Sequence, residues 1–106
     1  RSDFALVAAA AQVELRNDGR CSRIVIGIGA VTDFPIRLTS AEEQLKSGTL
    51  DAATVKRSVV EALADVAPLS DLHASAEYRR RVAVSLATQA VADARSHAIG
   101  KTRDAN

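Results

Sequence analysis

The sequence predicts an α+β domain in which a three-stranded antiparallel sheet is followed by three helices that pack on one face of the sheet. Two observations carry this prediction. Apolar and polar residues alternate on both sides of Asn17–Gly19, a turn signal that is typical of a β-hairpin. From about Ser75 onward, apolar residues recur at spacings of three and four, which is typical of a long amphipathic helix.

The composition limits how the domain can be built. The chain has 106 residues, of which 47% are hydrophobic but only 3% are aromatic. We therefore expect a single domain over residues 1–106, with a core of Ala, Val, Ile and Leu side chains that gives modest stability without a partner surface. The polar residues from about Gly100 onward predict a frayed tail.

Charge and cysteine content exclude several classes of function. With 14 basic and 13 acidic residues, the chain lacks the net positive charge of nucleic-acid-binding domains. Its apolar runs are all shorter than the ~20 residues that span a bilayer, so we expect no membrane contact. The single cysteine, Cys21, allows no internal disulfide and indicates a reducing, cytoplasmic compartment. Two histidines far apart in the sequence predict no metal site.

The first strand is predicted over Phe4–Leu15, although the alanines there favour a helix. Alternation decides in favour of the strand, because one face is apolar while the other carries Gln12 and Glu14. The apolar face consists of Val7, Ala9, Ala11, Val13 and Leu15. After the turn, Arg20–Gly29 predicts the second strand, whose isoleucines all lie on one face.

A short third strand and a short helix are predicted next. The residue before Pro35 is expected to be extended, and Ile36–Leu38 is long enough to pair as a strand. Ser40–Glu43 has the pattern of a capping box, in which the first and last side chains cap the helix N-terminus. This pattern predicts a helix over Ala41–Lys46 that stops at the next glycine.

Two amphipathic helices are predicted in the second half of the chain. The first is capped by Thr49 or Asp51 and ends before a proline. Its apolar stripe consists of Val55, Val59, Leu63 and Val66. The second starts at Ser75, and its stripe consists of Val82, Leu86, Ala90, Val91 and Ala94. The same spacing predicts that Tyr78 is buried beside Val82, where its hydroxyl would need a hydrogen-bond partner.

The glycines of Gly27–Ala30 suggest a dinucleotide-binding loop. Such a loop needs a strand, a glycine loop and a helix N-terminus in immediate succession. Here Pro35 and a short predicted strand intervene before any helix. We therefore predict a tight turn at these glycines rather than a phosphate-binding loop.

Several short motifs occur in the order and at the spacing found in a known protein family. They are Asp3–Val7, Asp18–Arg20, Gly27–Val31, Pro35–Arg37 followed by Ala41 and Glu42, and Asp71–Arg80. Together they resemble the C-terminal domain of the FAD-binding medium subunit of molybdenum hydroxylases. This family includes the flavoprotein subunit of carbon monoxide dehydrogenase and the flavin portion of xanthine dehydrogenase. The resemblance covers nearly the whole chain.

The resemblance implies both a fold and a function. It implies an antiparallel sheet with three helices, in a domain that follows two others holding most of the FAD. The family's subunit passes electrons from a molybdenum site, through iron–sulfur clusters, to FAD and an external acceptor. The resemblance therefore implies a flavoprotein module of an oxidoreductase that catalyses nothing alone and packs on other domains or subunits in an oligomer. It also implies that Arg1, Ser2, Asp3 and Phe4 lie close to the flavin.

Two alternatives remain open at this stage. One is a free-standing protein on the same fold that binds a small molecule or acts as an acid–base enzyme without a cofactor. Its site residues would be Asp33, His73, Tyr78 and Arg79. There an imidazole would exchange protons near neutral pH and a guanidinium would hold a carboxylate or enolate. A purely structural interpretation of the same segment is that Asp71 caps the last helix or accepts a hydrogen bond from Arg79 or Arg80. The other alternative is a structural subunit of a hetero-oligomer.

Overall fold

The structure is a computed structural model that describes residues 7–29, 35–65 and 75–105. The elements in chain order are β1 (Ala8–Leu15), β2 (Cys21–Gly29), β3 (Ile36–Arg37), α1 (Thr39–Leu45), α2 (Ala52–Ala64) and α3 (Ser75–Ala105). The strands form one antiparallel sheet in the order β1-β2-β3. The predicted fold class and order of elements are therefore confirmed. None of the helices described is long and apolar enough to cross a membrane.

The hairpin of β1 and β2 forms as its sequence predicts. Ala8 lies opposite Gly29 and Val13 opposite Ile24. At the turn, the N–H of Gly19 donates to the carbonyl of Arg16 at 2.9 Å. Gly19 has a φ of 86°, a left-handed conformation that glycine adopts without the strain of a side chain. The predicted residues Phe4–Leu6 of the first strand lie outside the described residues.

All three helices lie on the isoleucine side of the sheet, where α3 packs on β1, α1 packs on β2, and α2 packs on α1 and α3. Ile26 and Ile28 are 0% and 1% exposed, and β1 turns its apolar face the same way. The opposite face of β1 is exposed through Ala8, Ala10, Gln12 and Glu14. Cys21 is buried at the start of β2, and this burial raises the pKa of its thiol. The core therefore lies on one side of a sheet whose other side has no cover among the described residues.

The first helix begins earlier than predicted, and the capping box is wrong. α1 starts at Thr39, and its N-cap is Leu38. The leucine side chain has no oxygen that could accept a hydrogen bond from the N–H groups of the first turn. The reason is that the helix grows directly from β3, since Leu38 donates its N–H to the sheet while its carbonyl accepts from Glu42 at 3.0 Å. Ser40 therefore lies inside the first turn rather than at the cap.

The second helix agrees with its prediction. Asp51 is the N-cap, and its carboxylate accepts from the N–H of Thr54 at 3.1 Å and from its hydroxyl at 2.9 Å. The hydroxyl bond, and then the N–H bond, lower the pKa of Asp51 below its ordinary value. The stripe of Val55, Val59 and Leu63 is buried, whereas Val66 lies outside the described residues.

The buried face of the third helix differs from the predicted one by about one residue position. Its 31 residues lie against β1 and α2, and the buried line consists of Ala83, Ala87 and Val91. Leu86, predicted to be buried, is 38% exposed. A helix can approach a flat sheet closely only along small side chains, so alanines occupy the contact and a larger residue is displaced to the flank. The residues from Gly100, predicted to form a frayed tail, are helical as far as Ala105.

Candidate functional site

The carboxylate of Glu42 completes the sheet beyond the end of β3. Leu38 has already given its carbonyl to the N–H of Glu42, so it has none to offer the N–H of Ile26 across the ladder. The side chain of Glu42 takes that place, and its Oε2 accepts from Ile26 at 2.9 Å. A buried N–H left without an acceptor is costly, so this bond lets a helix begin where a strand ends.

Arg37 holds the same carboxylate in a two-pronged contact. Its Nη2 lies 2.5 Å from Oε1 of Glu42 and its Nε lies 3.2 Å from Oε2. Glu42 is only 8% exposed, whereas more than half of the Arg37 side chain is in solvent. The hydrogen bond to Glu42 raises the pKa of the Arg37 guanidinium. Arg37 and Glu42 bond to each other, and Glu42 also accepts from Ile26, so both residues have a structural role at the end of β3.

The open face of the sheet carries a patch of alanines and glycines. Ala8 and Ala10 of β1 lie opposite Gly29 and Gly27 of β2, in a shallow concavity of about 330 Å³ that is bordered by Arg37, the β3 residue opposite Gly27. The prediction of a tight turn at the glycines is wrong, because Gly27 and Gly29 are residues of the strand itself. We refer to Ala8, Ala10, Gly27 and Gly29 as the small-residue patch.

The packing of the described residues does not require glycine in this patch. A Cβ at Gly29 would meet nothing within 4 Å, and one at Gly27 would meet only the carbonyl of Ile36 at 3.9 Å. Neither residue has a positive φ. The patch therefore leaves the backbone of the sheet accessible to whatever contacts it from outside.

The small-residue patch lies at the end of the sheet where two predicted site segments attach. Val7 precedes β1 there, Gly29 ends β2 and Pro35 precedes β3. The residues implied to lie near a flavin (Arg1, Ser2, Asp3 and Phe4), and Asp33 of the alternative site, belong to residues 1–6 and 30–34, outside the described residues. Their roles stay predictions.

The remaining predicted site residues point in different directions from α3. Tyr78 is 52% exposed, so the prediction that it is buried beside Val82 is wrong. Arg79 is only 7% exposed. Successive helical residues are turned by about 100°, which separates the phenol from the guanidinium. With His73 outside the described residues, the acid–base site stays a prediction.

Comparison with known proteins identifies relatives across most of the chain. Residues 1–94 match the family described as the CO dehydrogenase flavoprotein C-terminal domain. The chain is 34% identical over 96 residues to the carbon monoxide dehydrogenase medium chain of Afipia carboxidovorans, and 29% identical over 99 residues to a putative xanthine dehydrogenase FAD-binding subunit of Escherichia coli. These matches cover 91% and 93% of this chain but 33% and 34% of the relatives. The chain thus spans about a third of their length.

A solved structure shows the same fold. A chain of quinoline 2-oxidoreductase from Pseudomonas putida superimposes with a TM-score of 0.78 and 28% sequence identity. The match covers 88% of this chain and 32% of that chain.

Proposed function

Because the chain belongs to the family of the CO dehydrogenase flavoprotein C-terminal domain, we propose that it is the C-terminal module of a FAD-binding medium subunit of a molybdenum hydroxylase. In this role the module supports FAD binding, subunit packing and electron transfer in a complex whose other parts carry the chemistry. Relatives named as a FAD-binding subunit and as a carbon monoxide dehydrogenase medium chain support the proposal. The alternative of an acid–base enzyme is not favoured by the family.

The observation that carries this proposal is the small-residue patch. Its alanines and glycines are small and uncharged, and they lie beside the point where residues 1–6 join β1. A flat aromatic ring or a neighbouring domain can contact such a surface closely, because its own side chains are short and Arg37 at its border is held by Glu42. The patch fits a role in covering a flavin.

The described residues do not fit the pyrophosphate of FAD. Phosphate groups bind at helix N-termini whose N–H groups are unsatisfied. Among the described helices, α2 is the one that follows a glycine closely, and its N-cap is Asp51, a carboxylate that repels phosphate and already accepts from Thr54. The pyrophosphate would therefore be held by other parts of the subunit. When bound, FAD would supply the capacity to accept electrons and pass them to an external acceptor.

Glu42 and Arg37 would act indirectly. They fix the end of β3 to Ile26 of β2, and Arg37 itself lies opposite Gly27 at the border of the patch. Their role is to hold β3 in place beside the glycines.

The proposal is tested with the complex purified from its source through a tag on the full subunit. Native mass spectrometry and flavin absorbance should report FAD together with larger partner subunits. Gly29→Leu places a side chain on the patch at a position where a Cβ meets no described atom within 4 Å, so we expect a folded protein with at least about tenfold less flavin or partner bound. Gly100→Leu, which also enters open space, is the matched control. Full flavin occupancy in Gly29→Leu would contradict the role of the patch.

A further inference from the structure

The outer edge of β1 presents unpaired backbone groups. β1 is the first strand in the order β1-β2-β3, and among the described residues it pairs only with β2. Ile26 directs its N–H and carbonyl toward the β3 side of the sheet, so Ala11, which lies opposite, is in a non-hydrogen-bonded pair. The N–H and carbonyl of Ala11 therefore point away from the sheet. The two-residue period gives the same direction to Ala9 and Val13.

A groove runs along this edge, between β1 and α3. Five consecutive residues of β1, Ala10–Glu14, line one side of a volume of about 710 Å³. The other side is lined by five residues of α3: Ala90, Asp93, Ala94, His97 and Lys101. The alanines leave room beside the strand rather than filling it. An unpaired strand edge next to a helix is the geometry in which proteins bind extended peptides by strand addition.

We propose that this groove binds a single extended segment of a partner subunit, which adds to the sheet as a fourth strand beside β1. The inference rests on the proposed function, in which the chain works inside a multi-subunit complex. The backbone groups of Ala9, Ala11 and Val13 supply the hydrogen bonds. Alternate side chains of the segment face Ala90 and Ala94, which favours apolar residues of moderate size at every second position.

A second copy of this chain does not fit the same edge. α3 lies over β1 and much less over β2. Antiparallel pairing of two β1 strands would bring the strands to about 4.8 Å and place both copies of α3 on the same face at a similar separation. Packed helix axes need about 8–10 Å. The occupant is therefore a strand that carries no helix of its own on that face.

The test is amide hydrogen exchange at single-residue resolution in the native complex, purified from its source with every subunit present. The amides of Ala10 and Gln12 lie in the ladder with β2 and serve as an internal reference. Strand addition predicts that Ala9, Ala11 and Val13 exchange within about threefold of that reference, whereas an exposed edge exchanges at least about 100-fold faster. Fast exchange at these three residues in the assembled complex overturns the inference.

A pair of variants gives a second readout. Ala11→Pro removes the outward N–H, while Ala11→Gly keeps it and also loosens the strand. We expect at least about tenfold weaker association with the partner subunit for proline and about twofold or less for glycine. Equal association of the two variants overturns strand addition.

The outcomes also separate this inference from the proposed function. A flavin-containing complex with fast-exchanging Ala11 overturns strand addition alone. A chain recovered without flavin and without any other subunit overturns the proposed function and the strand addition that rests on it.

Discussion

The two edges of the sheet are finished in opposite ways. At the β3 edge, the strand has only two residues, and the Glu42 carboxylate accepts the next N–H of β2, that of Ile26. Arg37 holds this carboxylate in place. At the β1 edge, a strand of eight residues leaves the backbone groups of Ala11 and its alternate neighbours without a partner among the described residues. Edges invite pairing with other chains. This sheet therefore closes its β3 edge with its own side chains and leaves its β1 edge available for pairing.

Of the variants considered, one in the core beneath both edges should lose the most stability. Ile26→Ala removes a fully buried side chain and should lower the free energy of unfolding by about 2–5 kcal/mol. Val25→Ala, one residue away on the open face, is the control and should cost clearly less because Val25 is only half-buried. Denaturant unfolding measures both, and equal losses would contradict the assignment of faces.

The β3 edge can be disrupted by replacing Glu42. Glu42→Ala leaves the N–H of Ile26 without an acceptor and should cost about 1–3 kcal/mol. Glu42→Gln keeps an acceptor oxygen and should lose less. Glu43→Ala, on the exposed side of the same helix, should stay within about 0.5 kcal/mol of the parent. A Glu42→Ala variant as stable as Glu43→Ala would remove the distinction between the edges.

Proline distinguishes the two sides of β1 directly. Ala10→Pro deletes an N–H that bonds to β2, whereas Ala11→Pro deletes one that points outward. In the isolated chain we expect Ala10→Pro to be less stable than Ala11→Pro by about 1 kcal/mol or more. Thermal unfolding of the two variants is the measurement. The reverse order would mean that the outer edge is already paired.

The smallest effect concerns a site away from both edges, the N-cap of α2. The bonds from Thr54 hold the pKa of Asp51 below its unfolded value, so the stabilising contribution of Asp51 is present at neutral pH. It is lost as the pH falls through the lowered pKa. The stability difference between the parent and Asp51→Ala should therefore be visible at pH 7 and shrink below about pH 4. Thr54→Val removes the hydroxyl bond but keeps the backbone N–H bond, so it should reproduce part of the loss, and Thr54→Ser should not. A difference that grows in acid would contradict the cap.

Most of the architecture could be predicted because it depends on local periodicity. The alternation around Gly19 and the stripe of Val55, Val59 and Leu63 each have strong contrast between apolar and polar positions. The face of α3 could not be assigned in the same way. Alanine occurs on several sides of that helix, so its contrast is weak and Leu86 was placed in the core that Ala83 and Ala87 occupy.

The role of Glu42 could not be read from spacing either. The capping-box pattern drew attention to Ser40 and Glu43, while the acceptor is the residue between them. The role of Glu42 depends on the junction between β3 and α1. The carbonyl of Leu38 accepts from the helix, so the N–H of Ile26 in the neighbouring strand needs another acceptor. The patch could not be predicted for a related reason. The sequence predicts a strand as far as Gly29, but only the register of pairing places Ala10 and Ala8 opposite Gly27 and Gly29.

The 31 residues of α3 measure about 46 Å, whereas the eight residues of β1 that it accompanies measure about 27 Å. The helix thus overhangs its sheet by about 20 Å. Arg95 ties its second half to the carbonyl of Thr49 at 3.2 Å, at the hairpin end. The first half of α3 lies beside Lys56 and Val60 of α2, and α2 itself packs on helices rather than on the sheet. We therefore expect that removing whole turns from the start of α3 would loosen α2 while the contact of Ala90 and Ala94 with β1 remains.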